Sequence, residues 1–143
     1  MLTQLVVGSA LVCVTIVIIV GFMAFASVSL TRLGDWLISG HPVTRLMISL
    51  TGVVLWLLAA LSIAVWVWAG AFLSLGVFNT LEESLYFSVV SFTTLGFGDV
   101  VIGKDWRLLS GVIAANGLIL FSLITAFLIE FIARLERARN GTG

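Results

Sequence analysis

Ser91-Phe92-Thr93-Thr94-Leu95-Gly96-Phe97-Gly98-Asp99-Val100 breaks a chain that is otherwise built to sit in hydrocarbon. Tandem threonines, two glycines one residue apart and an aspartate are too polar and too glycine-rich to continue a membrane helix. Non-helical backbone survives at membrane depth only where protein buries it or a watery cavity meets it. The reading of this stretch therefore decides what the apolar runs around it are for.

Immediately before it, Leu81 to Phe92 is apolar with helical character but only about a dozen residues long. A transmembrane helix needs about 20, so this segment is too short to span and suits a re-entrant helix. Three longer runs can span: Leu5 to Leu30, without formal charge; Met47 to Phe78, carrying Trp56, Trp66 and Trp68; and Leu108 to Phe131, uncharged until Glu130. The whole chain has 143 residues, 61% hydrophobic and 10% charged. Soluble domains carry about 25% charge, which excludes that class. A formal net charge of zero suggests no nucleic-acid partner. A single cysteine, Cys13, rules out an internal disulfide and reads as a small buried or lipid-facing residue. Ala24-Phe25-Ala26 resembles a signal-peptide cleavage site, but the start lacks Lys and Arg and the apolar run exceeds a signal core, so the first helix is expected to be retained.

Charge sets the expected orientation. Arg32 and Arg45 between the first two runs share a side with Arg134, Arg137 and Arg139, against Lys104 and Arg107 opposite. The positive-inside rule places that arginine-rich side in the cytoplasm and the N-terminus outside, in a multi-pass plasma or inner membrane protein. The broken segment then faces outward with Glu82, Glu83, Asp99 and Asp105. An acidic outer face concentrates cations, a first hint of cation traffic.

Thr93-Thr94-Leu95-Gly96-Phe97-Gly98-Asp99 after a short helix resembles the selectivity filter of the potassium-channel superfamily, usually TTVGYGD. The resemblance covers roughly residues 80–135. It implies an all-α membrane protein: three transmembrane helices plus a re-entrant pore helix and filter loop, in the tetrameric potassium-channel pore fold. The expected division is an extra N-terminal helix over 1–30, a cytoplasmic loop over 31–46, a pore domain over 47–135 and a short tail over 136–143. Within the pore domain lie an outer helix 47–78, pore helix 81–92, filter 93–99 and inner helix 107–135.

The chemistry of such a filter follows from dehydration. A potassium ion entering a narrow pore loses water, and backbone carbonyls that face inward replace those oxygens. Gly96 and Gly98 permit left-handed angles that side-chained residues resist. Carbonyls of Thr94, Leu95, Gly96 and Phe97, with the Thr94 hydroxyl, are expected to hold K+ in stacked cages that reach to Gly98. One chain supplies only one oxygen at each height, so a homotetramer is expected. Leu95 replaces the family's usual Val and Phe97 its usual Tyr; both side chains are expected to face away from the ions and pack against the pore helix. The whole stretch from Thr93 to Gly103 resembles the second pores of two-pore-domain channels. A phosphate-cradling loop is excluded, because Gly103-Lys104-Asp105 lacks the following hydroxyl.

Thr93, Asp99, Tyr86 and Val90 are the expected filter supports. By the resemblance, Tyr86 is placed to hydrogen-bond Asp99, whereas Val90 stands where some relatives carry a glutamate and supplies no carboxyl. Phe87 and Phe92 read as plain packing. On the inner helix, Gly117 sits at the family's hinge glycine and Gly111 reads as a close-packing position against the pore helix. Helical spacing from Gly117 places Leu118, Phe121, Thr125 and Ile129 toward the cavity and gate. Asn116 either bonds a neighbouring helix or faces the cavity, with the first favoured. Glu130 and Arg134 are spaced for an ion pair.

No helix carries arginine at every third position, so no voltage sensor is expected, and no ligand-binding domain after Arg139. His41 reads as an exposed loop residue. No cofactor is expected besides permeant K+, and no partner besides the bilayer and further copies of the chain. No small-molecule substrate is suggested. With a single histidine and no nucleophile–base set, the chain is not expected to be an enzyme. A non-selective cation channel and a non-conducting accessory subunit remain the alternatives.

Overall fold

The computed structural model describes residues 1–38 and 42–140. Four α-helices follow in order: α1 Leu2–Ile38, α2 Pro42–Ser74, α3 Leu81–Phe92 and α4 Arg107–Asn140. A 3₁₀ turn, Lys104–Trp106, leads into α4. Three segments are long and apolar enough to cross a membrane: Leu2–Ser29, Met47–Ser74 and Lys104–Arg134. At 12 residues, α3 is not among them. With no strand among the described residues, the fold is the expected one: an all-α membrane protein of three spanning helices with a short re-entrant helix before the last.

The spanning helices differ from expectation at their ends. Most of the loop expected over 31–46 is helical instead, because α1 continues to Ile38 and α2 begins at Pro42. A proline at the first helical position has a preset φ and lacks only an N–H that would find no partner there. His41 lies outside the described residues. At 37 residues, α1 is about 55 Å long, well beyond a hydrocarbon core of about 30 Å. The far end of α2 stops at Ser74 instead of Phe78. Gly76, at φ +66, ends it: its N–H bonds Leu73 O at 3.1 Å, and Val77 N–H bonds Phe72 O at 3.0 Å. This is a glycine-terminated helix end, and apolar content alone hides it.

Packing follows the buried stripes. α1 lies against α2 and α4, α3 sits between α2 and α4, and α4 touches α2 more lightly. The core gathers Ile19, Leu57, Trp68, Phe72, Phe87, Phe92, Leu109, Ile113 and Leu120. Phe72, Phe78 and Phe87 form an aromatic cluster that seats the outer flank of α3 on α2, with ring centroids 5.1–6.1 Å apart. The buried Ser84 hydroxyl donates to Ala69 O at 2.6 Å, fixing the same contact.

α1 runs parallel to α4 in register. Gly8 faces Leu109 and Val112, where an added Cβ would stand 3.1 Å from each. Deeper in, buried Asn116 donates its Nδ2 to the Thr15 hydroxyl at 2.8 Å. The interhelical role favoured for Asn116 is therefore the one observed, and the partner is α1. The close contact expected at Gly111 is absent, since nothing lies within 4 Å of a Cβ built there. Gly117 makes it instead: a Cβ would stand 1.9 Å from Phe92 O.

Candidate functional site: the turn after the short helix

α3 begins with a side-chain cap. Thr80 accepts a hydrogen bond from Glu83 N–H at 3.2 Å, and Glu82 and Glu83 occupy the first turn. Carboxylates there complement the partial positive charge of a helix N-terminus. Thr-x-x-Glu before an apolar run is a start signal that the sequence reading passed over in favour of a general acidic face.

The C-terminal end of α3 grips the turn that follows. Thr93 donates its hydroxyl to Val89 O at 2.7 Å. Thr94 N–H bonds Ser91 O at 3.0 Å. Val90 O accepts from both Leu95 N–H at 3.0 Å and Gly96 N–H at 3.3 Å. Val90, whose side chain offers no polar group, thus holds the loop through its carbonyl, a contribution that no side-chain reading detects.

Past this anchor the backbone alternates in hand. Thr94, Gly96 and Gly98 have φ of +61, +56 and +79, and among the described residues Thr94 is the one non-glycine with positive φ. For a β-branched residue this is a strained conformation, stabilised only where its surroundings enforce it. Such strain at a bonded turn is a mark of function. Alternating left- and right-handed residues turn successive peptide groups the same way, a backbone that can line its oxygens along one edge. The glycines announced two of these positions; Thr94 carried no such signal.

Around the turn, Tyr86 donates its hydroxyl to Asp99 Oδ2 at 2.6 Å, joining the middle of α3 to the loop's far end. That bond holds the Asp99 carboxyl below the ordinary carboxylate range, helped by the N–H groups of Asp99 and Val100. It raises the Tyr86 phenol in turn. Because the Asp99 pKa is depressed by folding, its stabilising contribution is full above the ordinary carboxylate value and disappears as pH falls through the lowered one. The Tyr86 contribution is full below the ordinary phenol value and is lost as pH rises through the raised one. Tyr86→Phe removes the donor, so the Asp99 carboxyl should take up its proton at higher pH than in the parent; a spectroscopic titration of Asp99 in the two proteins checks it.

Leu95 and Phe97 are 58% and 66% exposed on a single chain. Phe87, Val90 and Phe92 are buried as packing residues. On α4, Leu118, Phe121, Thr125 and Ile129 are all exposed on one chain, and Phe121 also sets its ring edge-on to Phe92 at 5.8 Å. Thr125 returns its hydroxyl to Phe121 O at 2.9 Å. Near the far end of α4, Arg134 meets Glu130 at 2.9 Å as spaced, and Arg137 joins the same carboxylate at 3.1 Å. Gln4 is a residue the sequence reading did not use. Its Nε2 donates to Asp105 O and its Oε1 accepts from Leu108 N–H at 3.1 Å, closing the start of α4. Cys13 is exposed on α1.

A family model described as "Ion channel" matches residues 53–134, more than half of the 143-residue chain. No curated protein and no solved structure matches the chain significantly. The matched span runs from mid-α2 through the short helix and its strained turn to the far half of α4, and with that match the chain belongs to the ion channel family, in the potassium-channel pore-domain superfamily.

Proposed function

We propose that the chain is a potassium-selective channel, assembled as a homotetramer, whose filter is Thr93 to Asp99. The observation that carries this reading is the run of positive φ at Thr94, Gly96 and Gly98 directly after a short, internally anchored helix. Four such strands around an axis offer rings of carbonyl oxygen from Thr94, Leu95, Gly96 and Phe97 that stand in for the hydration shell of K+. Gly98 lets the strand leave the last ring, and Thr93, Val90, Tyr86 and Asp99 brace it from behind. The apolar surface that each chain leaves uncovered supports assembly. Leu95 and Phe97 are large, exposed and next to a polar turn, a position that further copies of the chain bury. Leu118, Phe121, Thr125 and Ile129 then line the cavity and gate, where rings of apolar side chains close a pore by dewetting. In this reading the filter faces outward and the C-terminus lies in the cytoplasm, following the arginine bias. The protein conducts and does not catalyse.

The test is the purified protein alone in liposomes. Native mass gives the subunit count, and reversal potentials in mixed potassium and sodium give selectivity. Four subunits with a reversal potential that follows potassium support the reading. A reversal potential indifferent to exchanging the two ions establishes a non-selective pore, and absence of any flux from an intact tetramer leaves an accessory subunit.

A further inference from the structure

We propose that α1 is a strut that holds the outer half of α4 stationary, so that pore opening and closing are confined to α4 beyond Gly117. This rests on the channel reading above. Among the described residues, the hydrogen bonds and the glycine contact that join α1 to α4 and the turn before it fall on one stretch. Gln4 bridges Asp105 O and Leu108 N–H, Gly8 admits Leu109 and Val112 to van der Waals distance, and Thr15 accepts from Asn116 at 2.8 Å. These contacts are spaced along three turns of a parallel seam, and Thr15 and Asn116 are fully buried in it. A buried hydrogen bond between membrane helices has no water to replace it when broken. Separating the seam also uncovers Gln4 and a helix N-terminus.

Further along, α1 turns its specific contacts to α2. The Trp56 indole donates to Phe22 O at 3.1 Å and stacks on Phe22 and Phe25. The strut thus ties the outer half of α4 to the opposite half of α2, a diagonal brace across the subunit. At the level of Asn116 the brace coincides with the contact of Gly117 on Phe92 O, so the outer half of α4 is held from two sides. Below it, Leu118, Ile119, Phe121, Ser122, Thr125 and Ala126 are exposed on one chain, and burial falls on Leu120, Ile124 and Phe131. A helix with few buried anchors is the part that moves at low free-energy cost.

The experiment is a reversible lock on the seam. In a Cys13→Ser background, Gly8→Cys with Val112→Cys brings two thiols together: a Cβ at Gly8 stands 3.5 Å from Val112 Cβ, inside the range a disulfide accepts. Cross-linking is read on a denaturing gel, and potassium flux is read from liposomes before and after reductant. A disulfide that forms readily and leaves flux within about twofold in both redox states is the expected result. Flux that falls tenfold or more on oxidation and returns on reduction overturns the strut, because the seam then has to open. Failure of the disulfide to form in the assembled protein overturns it as well. Absence of flux from the Cys13→Ser parent instead overturns the channel reading, and the strut's role with it. If the first pair does not assemble, Thr15→Cys with Asn116→Cys, whose side chains already meet, runs the same test with the same outcomes.

Discussion

Gly96→Ala is expected to lower potassium flux through the proposed filter at least a hundredfold while leaving the subunit count unchanged. At φ +56 the residue occupies a conformation that disfavours any L side chain by roughly 1–2 kcal/mol. Nothing on the chain lies within 4 Å of the added Cβ, so the effect is conformational and not a clash. In the proposed four-fold ring the penalty is repeated, for about 4–8 kcal/mol in all, and each 1.4 kcal/mol is a factor of ten. The strand relieves it by rotating peptide groups out of alternation, which turns oxygens away from the axis. Thr94 tolerates the same hand because Ser91 O holds its N–H at 3.0 Å and Val89 O holds its neighbour's hydroxyl at 2.7 Å. Gly96 has only the longer 3.3 Å bond to Val90 O. Flux from reconstituted liposomes beside native mass is the check; parent-level flux from this variant removes the filter from the account.

Gly117→Ala is expected to be as damaging to flux, but by a different route. A Cβ there stands 1.9 Å from Phe92 O, 2.9 Å from Phe92 C and 3.3 Å from Phe92 Cα. The obstacle is backbone, so no rotamer change relieves it, and α4 must retreat from α3 by more than about 1 Å to regain ordinary carbon–oxygen contact of roughly 3.3 Å. Overpacking of this kind destabilises by about 1–3 kcal/mol at each site. Here it also displaces the last residue of α3, one position before the turn that Thr93 and Thr94 begin. The variant should lose flux and several degrees of melting temperature together. If Gly117 served only as a hinge, alanine would stiffen α4 and leave its melting temperature equal or higher. Gly111→Ala is the control, with nothing within 4 Å of its Cβ; replacing a helical glycine there should be neutral or stabilise by about 0.5–1 kcal/mol. Equal melting temperatures for the two variants would remove the close-contact explanation.

The two glycines illustrate what pattern reading resolves. Both stand in a largely apolar helix, about two turns apart and each after a polar residue, so nothing in their neighbours distinguishes a contact from an open face. For Leu95 and Phe97 the motif suggests packing against a pore helix, and on a single copy they are 58% and 66% exposed. Helix ends were misplaced where apolar content continued past a stop or a start. Val77 and Phe78 are as apolar as the residues before them, but the left-handed Gly76 ends α2 at Ser74, four residues earlier than apolar content suggests. Arg32 and Asp35 looked like a loop, yet α1 continues through both.

The polar contacts divide by range. Glu130 with Arg134 was visible because four residues make one turn, so local geometry alone brings them together. Tyr86 with Asp99 was suggested only through family resemblance. Thr15 with Asn116 and Gln4 with Asp105 each join residues 101 positions apart, and no local rule connects them.

By itself the sequence determined that this chain spans a membrane three times, that a dozen residues dip in before the last span, and that a glycine-alternating turn follows them. Those properties are carried by hydrophobic length and by backbone angles that only certain residues allow, both readable one residue at a time. Tertiary structure alone decided that α1 is joined to α4, that Gly117 and not Gly111 is the point of closest approach, and that Thr94 shares the hand of the two glycines. Each depends on which surfaces meet across a hundred residues of chain or on bonds that override a side chain's own preference, and neither is written in local order.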